Sequence, residues 1–484
     1  MTRPDRISVN TIWVFIGQAG TAALSFATIF LLTRYLGPER FGQFSTAASL
    51  GYLLIPLAEL GFDLHMTRTI AAEIEKGPSA ELIAAQLSET FSLRLVFSIF
   101  IYFVMIISAV AMGYSSSIVI YVALMGLAIT VLSLSQSFMG AIRAIRLMRY
   151  ESISYLIGRS LTLGLVLILV LLGADLVSLI ASYLAGSMVI FLLGYYFLKI
   201  QISRFGPYPR LRLQFSWEKI MARIRDALPF GLTAVFTAIY MRLDVILISK
   251  INGTEAVGLY TAAQNFVFGS MMLAVPITVA IYPALASMYQ SHKKDTHFVV
   301  EQGLTMLLLL GLAIGLIAAL MSYEIVLMVF GEKYILSALF MVLMSAKIPL
   351  VYASLIVGNS MGAVGFQNKV ALATGVGMVL NAIANSIFIP IHGPAAAAVV
   401  MVITELLILI ILSFSSQKIF QLHLTRPLLK IAACAAISAS AFFIMKSMAG
   451  PWIAGVLFCA IYVAMIFILK ILSFDMLYSL IRNR

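Results

Sequence analysis

Charge is scarce in this chain. Asp, Glu, Lys and Arg make up 11% of its 484 residues, against roughly 25% in a soluble domain. With 62% of the residues apolar, a soluble fold has too little polar surface to cover the rest, so the excess must face lipid. Cysteine is nearly absent. Cys434 and Cys459 both lie inside apolar runs, which excludes a disulfide framework or thiolate zinc site, leaves the redox compartment open, and makes packing their expected role. The five histidines (His65, His292, His297, His392, His423) are scattered without metal-ligand spacing. There is no GxxxxGK[ST] loop to cradle nucleotide phosphates, and neither HExxH nor Gly-x-Ser-x-Gly occurs. The chain is therefore not expected to be an enzyme, and no metal or cofactor is expected.

Long apolar runs are abundant. A spanning helix needs about 20 mostly apolar residues, because lipid offers no partner to an unsatisfied backbone group. Such runs predict an all-α integral membrane protein with about fourteen transmembrane helices, at about 10–33, 41–62, 90–112, 117–139, 152–172, 176–198, 227–250, 257–282, 299–321, 335–357, 369–390, 394–416, 427–447 and 451–472. Turn signals separate several pairs, among them Gly173-Ala174-Asp175 and His392-Gly393-Pro394. Arg3 and Arg6 precede the first run as in a signal peptide. The run from Val9 to Leu32 exceeds the 7–15 residues of a leader's apolar region, so it reads as a first span. No loop is long enough for a soluble domain. Ile70, Ile74, Leu82 and Leu87, broken at Gly77-Pro78, predict short interfacial helices in the loop from His65 to Glu89.

The positive-inside rule tests this count without using hydropathy. With both termini cytoplasmic, the inside segments hold 24 of the 32 basic residues and the outside ones hold 5, namely Arg34, Arg40, Lys250, Lys333 and Lys446. The densest basic run, Lys199 to Arg225, then becomes an inside linker, which removes the nucleic-acid reading of the net charge of +12.

Compared with itself at an offset of 216, the chain repeats. Ile29–Leu50 reads IFLLTRYLGPERFGQFSTAASL and Val245–Phe266 reads VILISKINGTEAVGLYTAAQNF. Leu31, Gly37, Glu39, Gly42 and Ala47 recur as Leu247, Gly253, Glu255, Gly258 and Ala263. Each copy predicts a helix ending outside, a glycine turn and a helix re-entering beside it, with small residues allowing close backbone approach. Six helices separate the copies, so the repeats run parallel. The expected domains are an N-lobe at 1–198 (helices 1–6), a basic cytoplasmic linker at 199–226, a C-lobe at 227–416 (helices 7–12) and a terminal helix pair at 417–484. Alternating access by rocking two lobes follows.

The residues Arg34-Tyr35-Leu36-Gly37-Pro38-Glu39-Arg40-Phe41-Gly42-Gln43-Phe44, Leu60-Gly61-Phe62 and Thr67-Arg68-Thr69-Ile70-Ala71 resemble the opening signature of polysaccharide-biosynthesis flippases. Arg242-Leu243-Asp244, Gly253 and Val257-Gly258-Leu259-Tyr260-Thr261-Ala262-Ala263 are similar in the second copy. The resemblance is to the Wzx-type oligosaccharide flippases of the multidrug/oligosaccharidyl-lipid/polysaccharide exporter superfamily. It implies a bacterial inner-membrane protein that moves a polyprenyl-pyrophosphate-linked glycan from the cytoplasmic to the periplasmic leaflet, for O-antigen, capsule or exopolysaccharide. The expected partners are that glycan, membrane lipids and other polysaccharide-assembly membrane proteins, and no nucleic acid.

An ionisable side chain at bilayer depth usually faces a cavity or a partner. Arg159, Arg242 and Lys347 are the candidate cationic contacts for a pyrophosphate, arginine being suited to fork-like phosphate binding. A structural ion pair or snorkelling to an interface is the bland alternative for each. Asp244 and Glu405 are candidates for coupling to protons or sodium, because apolar surroundings raise a carboxyl pKa. Gln264, Asn265, Asn359, Asn381 and Asn385 are candidate sugar contacts, or simply interhelical hydrogen bonds. A cation-coupled drug exporter of the same superfamily is an alternative, but it would be expected to carry an acid in the first helix, and Thr11 to Leu32 has none. A polyprenyl-dependent membrane glycosyltransferase or polymerase would be expected to need a sizeable outside loop with charged catalytic residues, and the outside loops here are short. A peptidoglycan-precursor flippase lies closer.

Overall fold

The structure is a computed structural model and describes residues 3–60, 62–76, 80–204, 206, 217–291, 296–422 and 425–471. Among these residues the regular structure is helical: α1 (Arg3–Leu54), α2 (Pro56–Glu59), α3 (Phe62–Lys76), α4 (Ala80–Ala111), α5 (Ser116–Ala144), α6 (Met148–Leu171), α7 (Leu176–Ile202), α8 (Trp217–Ile251), α9 (Gly253–Ser291), α10 (Thr296–Leu320), α11 (Ser322–Val329), α12 (Ser337–Ser345), α13 (Lys347–Ala363), α14 (Gln367–His392), α15 (Pro394–Phe420), α16 (Thr425–Ala449) and α17 (Pro451–Ile468). Ten helices among the described residues are long and apolar enough to cross a membrane, or eleven if α12 and α13 form one bent crossing.

Local chemistry explains the breaks. Gly37 has φ 72°, a left-handed conformation that costs a side-chain-bearing residue energy, and it divides α1 into two halves. Its repeat partner Gly253 has φ 85° and opens α9. Asp175 starts α7 by accepting hydrogen bonds from the Ser178 backbone N–H at 3.1 Å and its hydroxyl at 2.6 Å.

Several boundaries differ from the sequence reading. The segment expected from 90 begins at Ala80, because Ala80, Ile83, Ala84 and Leu87 are buried against protein. A hydropathy scan finds only helix that meets lipid. The segment expected at 335–357 is two helices bent by 41°. Pro349 has no N–H for the Ser345 carbonyl, so the ladder fails at that point. The short helix α11 fills what was expected to be a plain loop. Of the expected interfacial helices, α3 ends at Lys76, and 77–79 lie outside the described residues.

The chain forms two compact units, Met1–Thr261 and Ala262–Arg484. In the first, α5 packs against α7, α4 and α1, while α6 lies against both α1 and α7, and α8 lies along α1. Its core gathers Phe138, Met139 and Ile142 of α5 with Met66, Ile70, Ile83, Leu87, Ile190 and Ile202. In the second, α13 packs against α10 and α15, α14 against α15, and α16 against α17. The Tyr462 hydroxyl donates to the Leu309 carbonyl at 2.9 Å, tying α17 to α10. Outward faces are apolar, with Phe100, Ile107, Leu171, Phe414, Met448 and Val456 all more than half exposed. Water would penalise such a surface and lipid would not.

Candidate functional site

In the first unit, four helices bring together two guanidiniums and two phenols. The close approach of α6 to α7 determines where the first pair lies. A Cβ on Gly186 would overlap the Thr162 hydroxyl and stand 2.9 Å from the Gly158 carbonyl oxygen, so the two backbones nearly touch. Arg159 is the neighbour of Gly158 on α6, and Tyr183 lies one turn before Gly186 on α7. The two side chains are within electrostatic reach of each other, and Tyr183 is also within reach of Tyr52. The Tyr183 ring packs at 5.4 Å from the Phe44 ring. On the other side, the Arg242 guanidinium of α8 lies 5.3 Å from the centre of the Tyr52 ring.

Arg159, Tyr183, Tyr52 and Arg242 therefore form one chain of polar groups, each half-buried. The Nε of Arg159 is buried and has no hydrogen-bond partner. A guanidinium with an unmet donor attracts an anion strongly. A tyrosine face with a hydroxyl at its edge offers a sugar both stacking surface and a hydrogen bond. The sequence singled out both arginines and missed both tyrosines, which are ordinary residues in apolar helices.

Asp244, two positions beyond Arg242, is 2% exposed. It accepts from the Val245 backbone N–H at 2.8 Å and from the Tyr260 hydroxyl. A carboxylate held this way is fixed in place.

The remaining candidates lie in the second unit. Lys347, 1% exposed at the start of α13, has its Nζ 4.0 Å from the Glu405 carboxylate on α15 and 5.5 Å from the centre of the Phe268 ring. Asn381 and Asn385 are buried in α14. The Asn385 amide donates to the Asn381 side-chain oxygen at 2.9 Å, and the Asn381 amide donates to the Thr404 hydroxyl of α15 at 3.2 Å. Gln264 is buried on α9, Asn265 beside it is half-buried, and Asn359 is half-buried on α13.

One further charged cluster was missed. Arg94, wholly buried on α4, bonds Glu59 of α2 at 2.8 Å, Asp63 of α3, and the Ser133 hydroxyl of α5 at 3.3 Å. Ser133 in turn donates to Glu59 at 3.0 Å. An arginine one turn inside an apolar run was the available signal. Among the described residues no group of three His, Cys, Asp or Glu side chains is arranged to hold a metal ion.

Residues 7–289 match the polysaccharide biosynthesis protein family. The chain belongs to this family. The resemblance of the sequence to polysaccharide-biosynthesis flippases is borne out at the level of this family. Among curated family relatives, a probable low-salt glycan biosynthesis flippase of Haloferax volcanii is 25% identical over 397 residues, covering 81% of this chain and 79% of that one. A putative O-antigen transporter of Escherichia coli K12 is 26% identical over 330 residues, covering 67% and 76%. Among solved structures, the lipid II flippase MurJ in an inward closed conformation superposes with a TM-score of 0.75 at 13% identity over 95% of this chain and 98% of that one. An inward-facing multidrug resistance transporter of the MATE family gives a TM-score of 0.67 at 14% identity, over 82% of this chain and 94% of that one. These two show the fold alone.

Proposed function

We propose that this chain is a flippase carrying a polyprenyl-pyrophosphate-linked oligosaccharide from the cytoplasmic to the periplasmic leaflet by alternating access, for O-antigen, capsule or exopolysaccharide assembly. It is a transporter and not an enzyme. The observation that carries the reading is the buried, unpartnered Nε of Arg159 within electrostatic reach of Tyr183, in a chain belonging to the polysaccharide biosynthesis family. An anionic headgroup supplies the acceptor that this donor lacks. Arg159 and Arg242 hold the pyrophosphate, while Tyr52 and Tyr183 meet the first sugars. Gln264, Asn265, Asn359, Asn381 and Asn385 are further sugar contacts. Lys347 contributes only when it leaves Glu405. Asp244 and Glu405 are the acids through which a proton or sodium ion couples.

The same proposal keeps fourteen crossings, with an N-lobe at 1–198, a basic linker at 199–226, a C-lobe at 227–416 and a terminal helix pair at 417–484. Both termini lie in the cytoplasm and the membrane is the bacterial inner one. The charge asymmetry of the loops supports this orientation. Other polysaccharide-assembly membrane proteins are its proposed partners.

The test is removal of the chain from cells, followed by analysis of lipid-linked glycans in the cytoplasmic leaflet. Accumulation of one such glycan, cleared by the intact chain and not by Arg159→Ala at equal membrane abundance, is the expected result. No accumulation of any lipid-linked glycan would end the proposal.

A further inference from the structure

One face of α6 carries Glu151, Tyr155 and Arg159 at four-residue spacing, all three half-buried. That spacing aligns them along the helix, so Glu151 and Arg159 stand about 12 Å apart along its axis. The exposed apolar residues Ile157 and Ile168 project from the opposite side. Two side chains of α5 meet the stripe. Arg143 bonds one Glu151 oxygen at 3.1 Å, and the Gln136 amide donates to the Tyr155 hydroxyl. Tyr155 is within electrostatic reach of both Glu151 and Arg159.

The stripe leaves hydrogen-bonding capacity unused. On the packed faces of α6 the hydroxyls are satisfied: Ser152 donates to the Trp13 carbonyl of α1 at 2.7 Å, Ser154 to the Tyr150 carbonyl at 2.7 Å and Thr162 to the Gly158 carbonyl at 3.0 Å. Along the stripe, among the described residues, the second Glu151 oxygen accepts no hydrogen bond, the Tyr155 proton meets no acceptor and the Arg159 Nε has no partner. Permanent contacts between helices satisfy their polar groups, whereas a row of unmet donors and acceptors suits a polar ligand laid along it. Charge differs along the row. At its Glu151 end two guanidiniums serve three carboxylates: Arg94 bonds Glu59 and Asp63, Arg143 bonds Glu151, and Asp63 is within electrostatic reach of Glu151.

From this geometry we infer that Tyr155 and Glu151 form an extended glycan subsite that accepts sugars without an acid group and refuses uronic acids. The inference rests on the headgroup reading of Arg159. A glycan leaving the pyrophosphate along α6 toward its first turn reaches Tyr155 and then Glu151. The Tyr155 hydroxyl, oriented by Gln136, donates to a sugar oxygen. The free Glu151 oxygen accepts a sugar hydroxyl in a charge-assisted bond, stronger than a neutral one. A uronate carboxylate in that place has no proton to give and meets like charge from Glu151 and Asp63, while Arg143 is already bonded to Glu151. Specificity of this kind comes from repulsion of the wrong ligand as much as attraction of the right one.

The experiment measures binding of three synthetic lipids to the purified full chain in nanodiscs of neutral phospholipid. One is polyprenyl pyrophosphate without sugar. The other two carry a disaccharide whose outer sugar is glucose or glucuronic acid. The expected result is roughly tenfold tighter binding of the glucose lipid than of the glucuronate lipid. Glu151→Gln is expected to bring the two together by gaining affinity for the glucuronate lipid, and Tyr155→Phe to weaken both glycolipids while leaving the bare lipid unchanged. Equal binding of the two glycolipids by the parent chain, a comparison that needs no variant, overturns the subsite. So does a preference that survives intact in Glu151→Gln. Bare lipid bound by the parent and lost in Arg159→Ala, with glucose and glucuronate not told apart, removes the subsite and leaves the flippase reading standing. A parent chain that binds none of the three lipids overturns both.

Discussion

Arg94 and Glu59 lie 2.8 Å apart, and the guanidinium has no exposed surface while the carboxylate keeps 34% of its own. That asymmetry orders the consequences of breaking the cluster. Arg94→Met leaves Glu59 and Asp63 with access to solvent, so the loss is that of hydrogen bonds to a charged group, about 1.5–3 kcal/mol. The pair Glu59→Gln with Asp63→Asn leaves a fully buried guanidinium uncompensated, which costs about 3–5 kcal/mol. Unfolding of the purified chain in mild detergent is expected to rank the double carboxylate variant below Arg94→Met. The reverse order would show that solvent does not reach the acids.

The approach of α6 to α7 gives a packing prediction with a built-in rescue. Gly186→Ala places a methyl against the Thr162 hydroxyl and 2.9 Å from the Gly158 carbonyl oxygen. Overpacking of this kind costs about 1–3 kcal/mol. Adding Thr162→Ala removes the nearer obstacle and is expected to recover part of the loss in Tm, though not all, because the carbonyl remains. Equal Tm values for Gly186→Ala with and without Thr162→Ala would show that the helices respond by separating.

The membrane-spanning character was open to view in the sequence because the bilayer imposes one requirement on every residue of a crossing. Gly37 and Gly253 were legible too, since the repeat exposes them before any coordinate is known. Pro349 could have announced the break between α12 and α13. The first turns of α4 could not be seen by hydropathy, because one face only, Ala80, Ile83, Ala84 and Leu87, is buried, and it is buried by protein. Tertiary pairing was the other blind spot. Glu405 meets Lys347 from 58 positions away, and nothing in either neighbourhood marks the other. Tyr52 and Tyr183 acquire meaning only through the guanidiniums beside them, and tyrosines are common in apolar helices. The candidate site was thus half legible, its charges visible and its aromatic faces hidden.

The Lys347–Glu405 pair separates a packing role from a transport role. Lys347→Met alone leaves a buried carboxylate without its ammonium and is expected to lower stability by about 3–5 kcal/mol. Lys347→Met with Glu405→Leu removes both charges and is expected to restore most of that loss, since apolar replacements of buried ion pairs are often neutral. Glycan clearance is then measured in the restored variant. Recovery of transport along with stability assigns the pair to packing, whereas a stable chain that fails to transport assigns it to coupling or to the headgroup.

Tyr52 carries two separable features, a ring beneath Arg242 and a hydroxyl. Tyr52→Phe keeps the ring, which at 5.3 Å is within the range for a cation over an aromatic face. Tyr52→Leu removes both. Such a contact contributes about 0.5–2 kcal/mol, corresponding to a roughly twofold to thirtyfold effect on the rate if Arg242 must be held in place for the headgroup to bind. If the ring positions Arg242, clearance of the lipid-linked glycan should fall in Tyr52→Leu and stay near the parent rate in Tyr52→Phe. If the hydroxyl meets a sugar, both variants should fall together. The decisive comparison is with Arg242→Ala. A ring that acts only by holding the guanidinium leaves nothing further to lose, so Tyr52→Leu in the Arg242→Ala background should transport at the rate of Arg242→Ala alone. Additive losses would mean that Tyr52 contacts the cargo itself.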